Sequence, residues 1–177
     1  VERKQTLLAF ESMHSWTTGG VRDVHLFYRN NEMAGYCAVQ HAFDLYGIDG
    51  HYGPPRSAVV LSIGSVSRGA IRALLGRGIT DITVYTSRPP ILVRDRVHGC
   101  TYGQMVRDEH KRVCAVAEDG TRRQMIDVLV ENYLIVNGIL QDTDDPIMFV
   151  QPGEEDRFVH DCLIIDVSCD LAMGFPF

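Results

Sequence analysis

Residues 58–70 read AVVLSIGSVSRGA, and the small side chains at their centre could do chemistry through the backbone alone. Ala58 to Ile63 is a short run rich in β-branched residues, the pattern of a strand covered on both faces, and Ser67 to Leu75 follows at helical spacing. A turn between such a strand and a helix start presents unpaired N–H groups and the positive end of the helix dipole, which together attract phosphate. The pyrophosphate-holding form of this turn spaces three glycines as GxGxxG, for a tight turn, close approach of the phosphate and close helix packing. That grid falls on Ser62, Gly64 and Ser67, with Gly69 two residues late. Only the middle glycine is in place, and the outer serines are small and able to donate hydrogen bonds. The local pattern leaves two readings open, a phosphate cradle and a corner kept small for packing.

A second test lies at the end of the next strand, where an NAD-binding turn places Asp or Glu against the ribose hydroxyl. The chain there reads VYTSRPP, with no acid. Thr86 takes the acid's place, and Ser87 and Arg88 follow, a set that suits the dianionic 2′-phosphate of NADP(H) better than a neutral ribose. NADP(H) is therefore expected over NAD(H); the competing reading is a solvated arginine ahead of two prolines.

The elements around these residues follow from periodicity. Lys4 to Trp16 reads as a helix broken at Gly19 and Gly20. After an extended DVHLFYR, Asn30 is placed to cap a second helix that Gly47 ends. Val59 to Tyr85 spells strand, helix, strand, one βαβ unit with a right-handed crossover. RVCAVAEDG, YLIVNG and CLIIDVS supply three more strands and RRQMIDVLVEN a helix. Alternation of this kind predicts an α/β fold, a Rossmann-type doubly wound parallel sheet with N-terminal connecting helices.

Composition narrows the partners. The chain has 177 residues, 45% of them hydrophobic, enough for one domain with a sizeable core. A net charge of −6 without a basic cluster gives no footprint for nucleic acid or an anionic membrane, and a small-molecule or protein partner is expected. No apolar run has the length of a membrane span, and no signal-peptide order is visible. Five cysteines without a CxxC pair read as reduced thiols of a cytoplasmic protein. Seven histidines without metal spacing read as surface or packing residues, so no metal is expected. The opening at Val1 and the close at Phe177 read as the ends of an excised piece.

Four longer stretches, NNEMAGYCAVQHAFDLYGIDGHYGP, GSVSRGAIRALLGRGITDITVYTSRPP, VNGILQDTDDPIMFV and IIDVSCDLAMGF, together resemble the alanine dehydrogenase and transhydrogenase family, and within it the NADP-dependent carboxyethylornithine synthases. The resemblance runs from about Phe10 onward. It implies connecting helices over 1–50, which would join a substrate domain not seen here, and an NADP-binding Rossmann domain over 51–177. It also implies an oxidoreductase that reductively condenses a 2-oxo acid such as pyruvate with the amino group of an ornithine- or lysine-like amino acid, in a homo-oligomer. Carried over by residue, Gly64, Ser65, Val66 and Ser67 match the phosphate turn, and Thr86, Ser87 and Arg88 the ribose-selective position. Asn137 and Gly138 lie beside the cofactor, Val167 and Ser168 line the nicotinamide, and Asp170 matches an aspartate at the reacting centre. Asn31 stands where the family has a serine that meets the carboxamide. The bland readings are a turn for Asn137 and a helix cap for Asp170. The family's substrate-holding lysine and histidine have no motif here, so the chain alone is expected to bind NADPH without turnover.

Other classes are a non-catalytic NADP-sensing module, an alanine dehydrogenase-like enzyme and a methyltransferase-like domain. The VSCDL segment argues against the sensor, and the missing acid after the second strand against the methyltransferase.

Overall fold

The computed structural model describes residues 6, 8–117, 119–158, 160–168 and 173–177. Nine strands and three helices are described: β1 (His14–Trp16), β2 (Arg22–His25), α1 (Tyr28–Tyr46), β3 (Ser57–Leu61), α2 (Ser65–Gly76), β4 (Asp81–Thr86), β5 (Thr101–Arg107), β6 (Val113–Val116), β7 (Arg122–Gln124), α3 (Met125–Leu129), β8 (Leu134–Asn137) and β9 (Leu163–Asp166).

Seven of the strands form one sheet in the order β7-β6-β5-β4-β3-β8-β9. The pairs β5-β4, β4-β3, β3-β8 and β8-β9 are parallel, and β5-β6-β7 is an antiparallel meander on one edge. This is a Rossmann-type α/β fold with β3 at the centre of its five parallel strands. From β3 the chain first builds outward through β4 and β5, then returns to lay β8 and β9 on the other side.

The central strand shows why the chain folds this way. Ala58 and Val60 of β3 belong to the core beneath α1 and α2, whereas Val59 and Leu61 belong to a second core shared with α3 and with Phe149, Val150 and Phe175. Ala58 to Leu61 are all buried, as expected for a strand covered on both faces. Val39 and Phe43 of α1 sit in the first of these cores.

Helices α1 and α2 meet backbone to backbone. A Cβ on Gly35 would stand 1.9 Å from the Val66 carbonyl oxygen, and one on Gly69 would stand 1.7 Å from that of Glu32. Gly69, late for the phosphate grid, serves this helix crossing.

Four local expectations are corrected. The segment expected as a helix over 4–16 holds a short 3-10 turn at Phe10–Ser12 and then β1, paired antiparallel with β2. Its Thr17–Gly20 turn is closed by the Gly20 N–H to the Thr17 carbonyl at 2.9 Å, with φ of 73° at Gly20. Asn30 does not cap α1, which begins at Tyr28 with Phe27 as N-cap. RVCAVAEDG contains β6, but it pairs antiparallel with β5, a strand whose alternating polar residues carried no apolar run. The helix expected over RRQMIDVLVEN is cut to α3 because Arg122–Gln124 extends the meander as β7.

Candidate functional site

Parallel strands point their C-terminal ends one way, and where successive crossovers leave in opposite directions a crevice opens between them. In this chain that point lies between β3 and β8. A cleft of about 350 Å³ is found there, lined by Asn31, Val66, Gly138, Ile139, Leu140, Val167 and Ser168, with Arg22 and His25 at its wall.

The turn after β3 forms one side. Ser62 has φ of 91°, a conformation that favours glycine. Its position is that of the fingerprint's first glycine, and its backbone takes the glycine shape although it carries a side chain. The Gly64 N–H donates to the Ser62 Oγ at 3.1 Å and fixes the bend. Gly64 is the N-cap of α2 and has no side chain with which to cap it. The first helical bond runs from the Arg68 N–H to the Gly64 carbonyl at 2.9 Å. The N–H groups of Ser65, Val66 and Ser67 therefore head the helix without intrahelical acceptors.

At the third grid position the side chain serves the packing of the helix. The Ser67 side chain is fully buried, and its hydroxyl donates to the Leu61 carbonyl at 3.3 Å. A Cβ on Gly138 would stand 2.5 Å from that hydroxyl oxygen. Ser67 thus packs α2 against β3 and β8, and only its backbone N–H faces the helix end.

The Asn137 side chain is likewise engaged within the protein. It is fully buried, its Nδ2 donates to the Asp166 Oδ1 at 3.0 Å, and its Oδ1 accepts from the Ile139 N–H at 3.3 Å. It therefore ties β8 to β9 under the cleft floor. The Asp166 Oδ1 also accepts from the Ser168 N–H at 3.1 Å, and the Ser168 hydroxyl donates to the Ile139 carbonyl. These bonds set the two loops, 138–140 and 167–168, side by side.

The ribose-selective candidates stand at the tip of β4, which is tied to the phosphate turn by the Ser62 N–H donating to the Tyr85 carbonyl at 2.7 Å. Thr86 is buried, and its Oγ1 accepts from the Arg88 N–H at 3.4 Å. The Ser87 carbonyl accepts from the Gln104 amide at 3.2 Å, and Ser87 and Arg88 are exposed. Among the described residues no ion pair engages Arg88. Thr86 thus shapes the turn, while Ser87 and Arg88 present its polar groups.

Asn31, Val66, Gly138, Val167 and Ser168, far apart in sequence, are brought together around one cleft. Asp170 lies outside the described residues. Sequence reasoning missed Arg22 and His25. Their signal was the TTGG turn between HSW and VRDVH, a hairpin pattern that folds this segment back beside the cleft. Among the described residues no group of three or more His, Cys, Asp or Glu is placed to hold a metal ion, and no helix is long and apolar enough to cross a membrane.

Strand order and the helix-led turn after the central strand define a Rossmann-type doubly wound domain with an antiparallel edge. No family model matches the chain, and no curated protein does. Among solved structures it is similar to shikimate dehydrogenase 1 from Peptoclostridium difficile, with 14% identity, TM-score 0.46, and coverage of 80% of this chain and 43% of that one. It is also similar to shikimate dehydrogenase from Thermotoga maritima, with 19% identity, TM-score 0.39, and coverage of 60% and 32%. A third is the NADPH-dependent glyoxylate/hydroxypyruvate reductase from Sinorhizobium meliloti in apo form, with 13% identity, TM-score 0.38, and coverage of 71% and 45%. The chain spans less than half the length of each of these proteins.

Proposed function

We propose that this chain is the NADP(H)-binding part of an oxidoreductase, with the cofactor in the cleft between the ends of β3 and β8. The observation that carries this reading is the turn after β3. Ser62 adopts the backbone shape of a glycine, and three N–H groups head α2 without intrahelical acceptors. Gly64 leaves room for a phosphate, since a Cβ there would meet only the Ser62 Oγ, at 3.5 Å.

The residues fit the group. Backbone N–H groups of Ser65, Val66 and Ser67 would donate to the pyrophosphate, and Ser87 with Arg88 would take the 2′-phosphate. Asn31, Gly138, Val167 and Ser168 would surround the nicotinamide end. The bound cofactor supplies hydride; the protein's share is to hold it, orient it and shield one side of it with the apolar side chains of Val66, Ile139 and Val167.

The finer reading rests on the resemblance to the carboxyethylornithine synthases. The substrates are a 2-oxo acid such as pyruvate and the amino group of an ornithine- or lysine-like amino acid, and the product is an N-(1-carboxyethyl) amino acid. Asp170 would serve at the reacting centre. Residues 1–50 would join a substrate domain to the Rossmann unit of 51–177, in a cytoplasmic homo-oligomer.

Calorimetric titration with NADPH and with NADH at low salt tests the reading. Clear preference for NADPH is expected. Absence of binding by either nucleotide would reduce the turn to a packing corner.

A further inference from the structure

The cleft has a wall that the cofactor reading leaves without a task. Among the described residues lining the cleft, Arg22 carries the one fixed charge, and it comes from the β1-β2 hairpin rather than from the seven-stranded sheet. Among the described residues no carboxylate forms an ion pair with it. The neighbouring Asp23 is engaged elsewhere, its Oδ2 accepting from the Ser15 hydroxyl at 3.3 Å.

The guanidinium is held in place by a histidine. The Arg22 Nη2 lies 2.5 Å from the His14 Nε2, and the His14 Nδ1 lies 3.0 Å from the Ser12 carbonyl. A guanidinium only donates and a carbonyl only accepts, so in this arrangement the His14 Nε2 accepts from Arg22 and the Nδ1 donates to Ser12. His14 thus steers Arg22 through one N–H group, and the remaining N–H groups of the fork stay available to an anion. The His25 ring packs edge-on against that of His14, with centroids 4.8 Å apart, and borders the same cleft.

A planar fork of donors beside an apolar floor of Val66, Ile139 and Val167 suits a small carboxylate. We propose that Arg22, oriented by His14, binds the carboxylate of the 2-oxo acid at the mouth of the cleft. This rests on the cofactor reading above for what lies deeper in the cleft, and it adds a substrate contact from the hairpin. The rival anion for the same fork is the cofactor's own pyrophosphate.

The test is an NMR titration of the isotopically labelled full chain with pyruvate, with and without NADPH, following backbone amides and the Arg22 side-chain N–H. Pyruvate is expected to shift the Arg22 signal. Arg22→Gln should weaken pyruvate binding by roughly ten- to a hundredfold, with NADPH affinity unchanged. Arg22→Lys, which keeps the charge but loses the fork, should restore part of the affinity. Arg22 is exposed, so both variants should keep the native amide spectrum.

Unchanged pyruvate affinity in Arg22→Gln overturns the proposal, as does absence of pyruvate binding by the unaltered chain. Loss of NADPH affinity in Arg22→Gln would assign the fork to the pyrophosphate and overturn it equally. Arg22-dependent pyruvate binding by a chain that does not take up NADPH would instead sink the cofactor reading and leave the carboxylate site standing.

Discussion

The Asn137 amide nitrogen donates to the Asp166 carboxylate across 3.0 Å, joining the tips of two neighbouring parallel strands beneath the cleft. Because Asn137 is fully buried and also accepts from the Ile139 N–H, its removal strands polar groups on both sides. Asn137→Ala is expected to lower stability by about 2 kcal/mol, the cost of leaving such groups unpaired. Asn137→Asp, which sets a second carboxylate against Asp166, should lower it further. Urea unfolding of the two variants checks the order.

The α1-α2 crossing allows no methyl group. At 1.7 to 1.9 Å from carbonyl oxygens, an added Cβ forces the helices apart. Gly35→Ala and Gly69→Ala should each destabilise by about 3 kcal/mol or more, at the upper end of overpacking, although alanine favours a helix by about 1 kcal/mol. Thermal unfolding measures the difference; a gain in stability would mean that the helices do not meet this closely.

Ser62 sits at φ of 91°, where a side chain costs on the order of 1 to 3 kcal/mol. Ser62→Gly relieves that strain but gives up the bond from Gly64 and some chain entropy, so the change should stay within about 1 kcal/mol. Ser62→Val adds β-branching to the strained position and loses the bond, and should cost more than about 2 kcal/mol. Chemical denaturation of the pair separates these outcomes.

Arg88→Ala should weaken NADPH binding by roughly ten- to a hundredfold and leave NADH nearly unchanged. Calorimetry on both nucleotides is the measurement. An equal loss for both would place Arg88 in the fold and not in cofactor choice.

Hydrogen bonds from Arg107 and Lys111 hold the Asp145 carboxyl down at about 2. The ordinary carboxylate value is higher, so the unfolded chain takes up this proton first as pH falls. Stability from the pair is complete above about pH 4 and is lost between about pH 4 and pH 2. Asp145→Asn should flatten that part of the acid-unfolding profile, which fluorescence-detected unfolding across the window would reveal.

The centre of the fold was legible because Ala58 to Leu61 and Leu134 to Val136 carry apolar runs that only a sheet buried on two faces can use, and because Ile82 and Val84 alternate with less buried residues along β4. The cleft was legible to the extent that small residues mark where strands turn into loops, as at Gly64 and Gly138. The meander was not, since β5 and β7 lie toward an edge where alternating Tyr102, Gln104 and Arg122 remain partly exposed and blur the period. Asn137 and Ser67 illustrate a second limit. A polar residue at a strand end reads the same whether it greets a ligand or satisfies its neighbours, and only its burial tells the two apart. The N-terminal hairpin was hidden because Leu7, Leu8, Phe10 and Met13 imitate helical spacing just ahead of the turn that contradicts it.

Where two helices cross without any side chain between them, there is no soft layer to absorb a shift. The Gly35-Gly69 crossing therefore acts as a bearing with almost no play. Leu26 and Phe27 are all that separate β2 from α1, so the bearing carries the hairpin as a short rigid arm. The distance from Arg22 to the head of α2 is thereby set by two hydrogen atoms where other residues would have carbon.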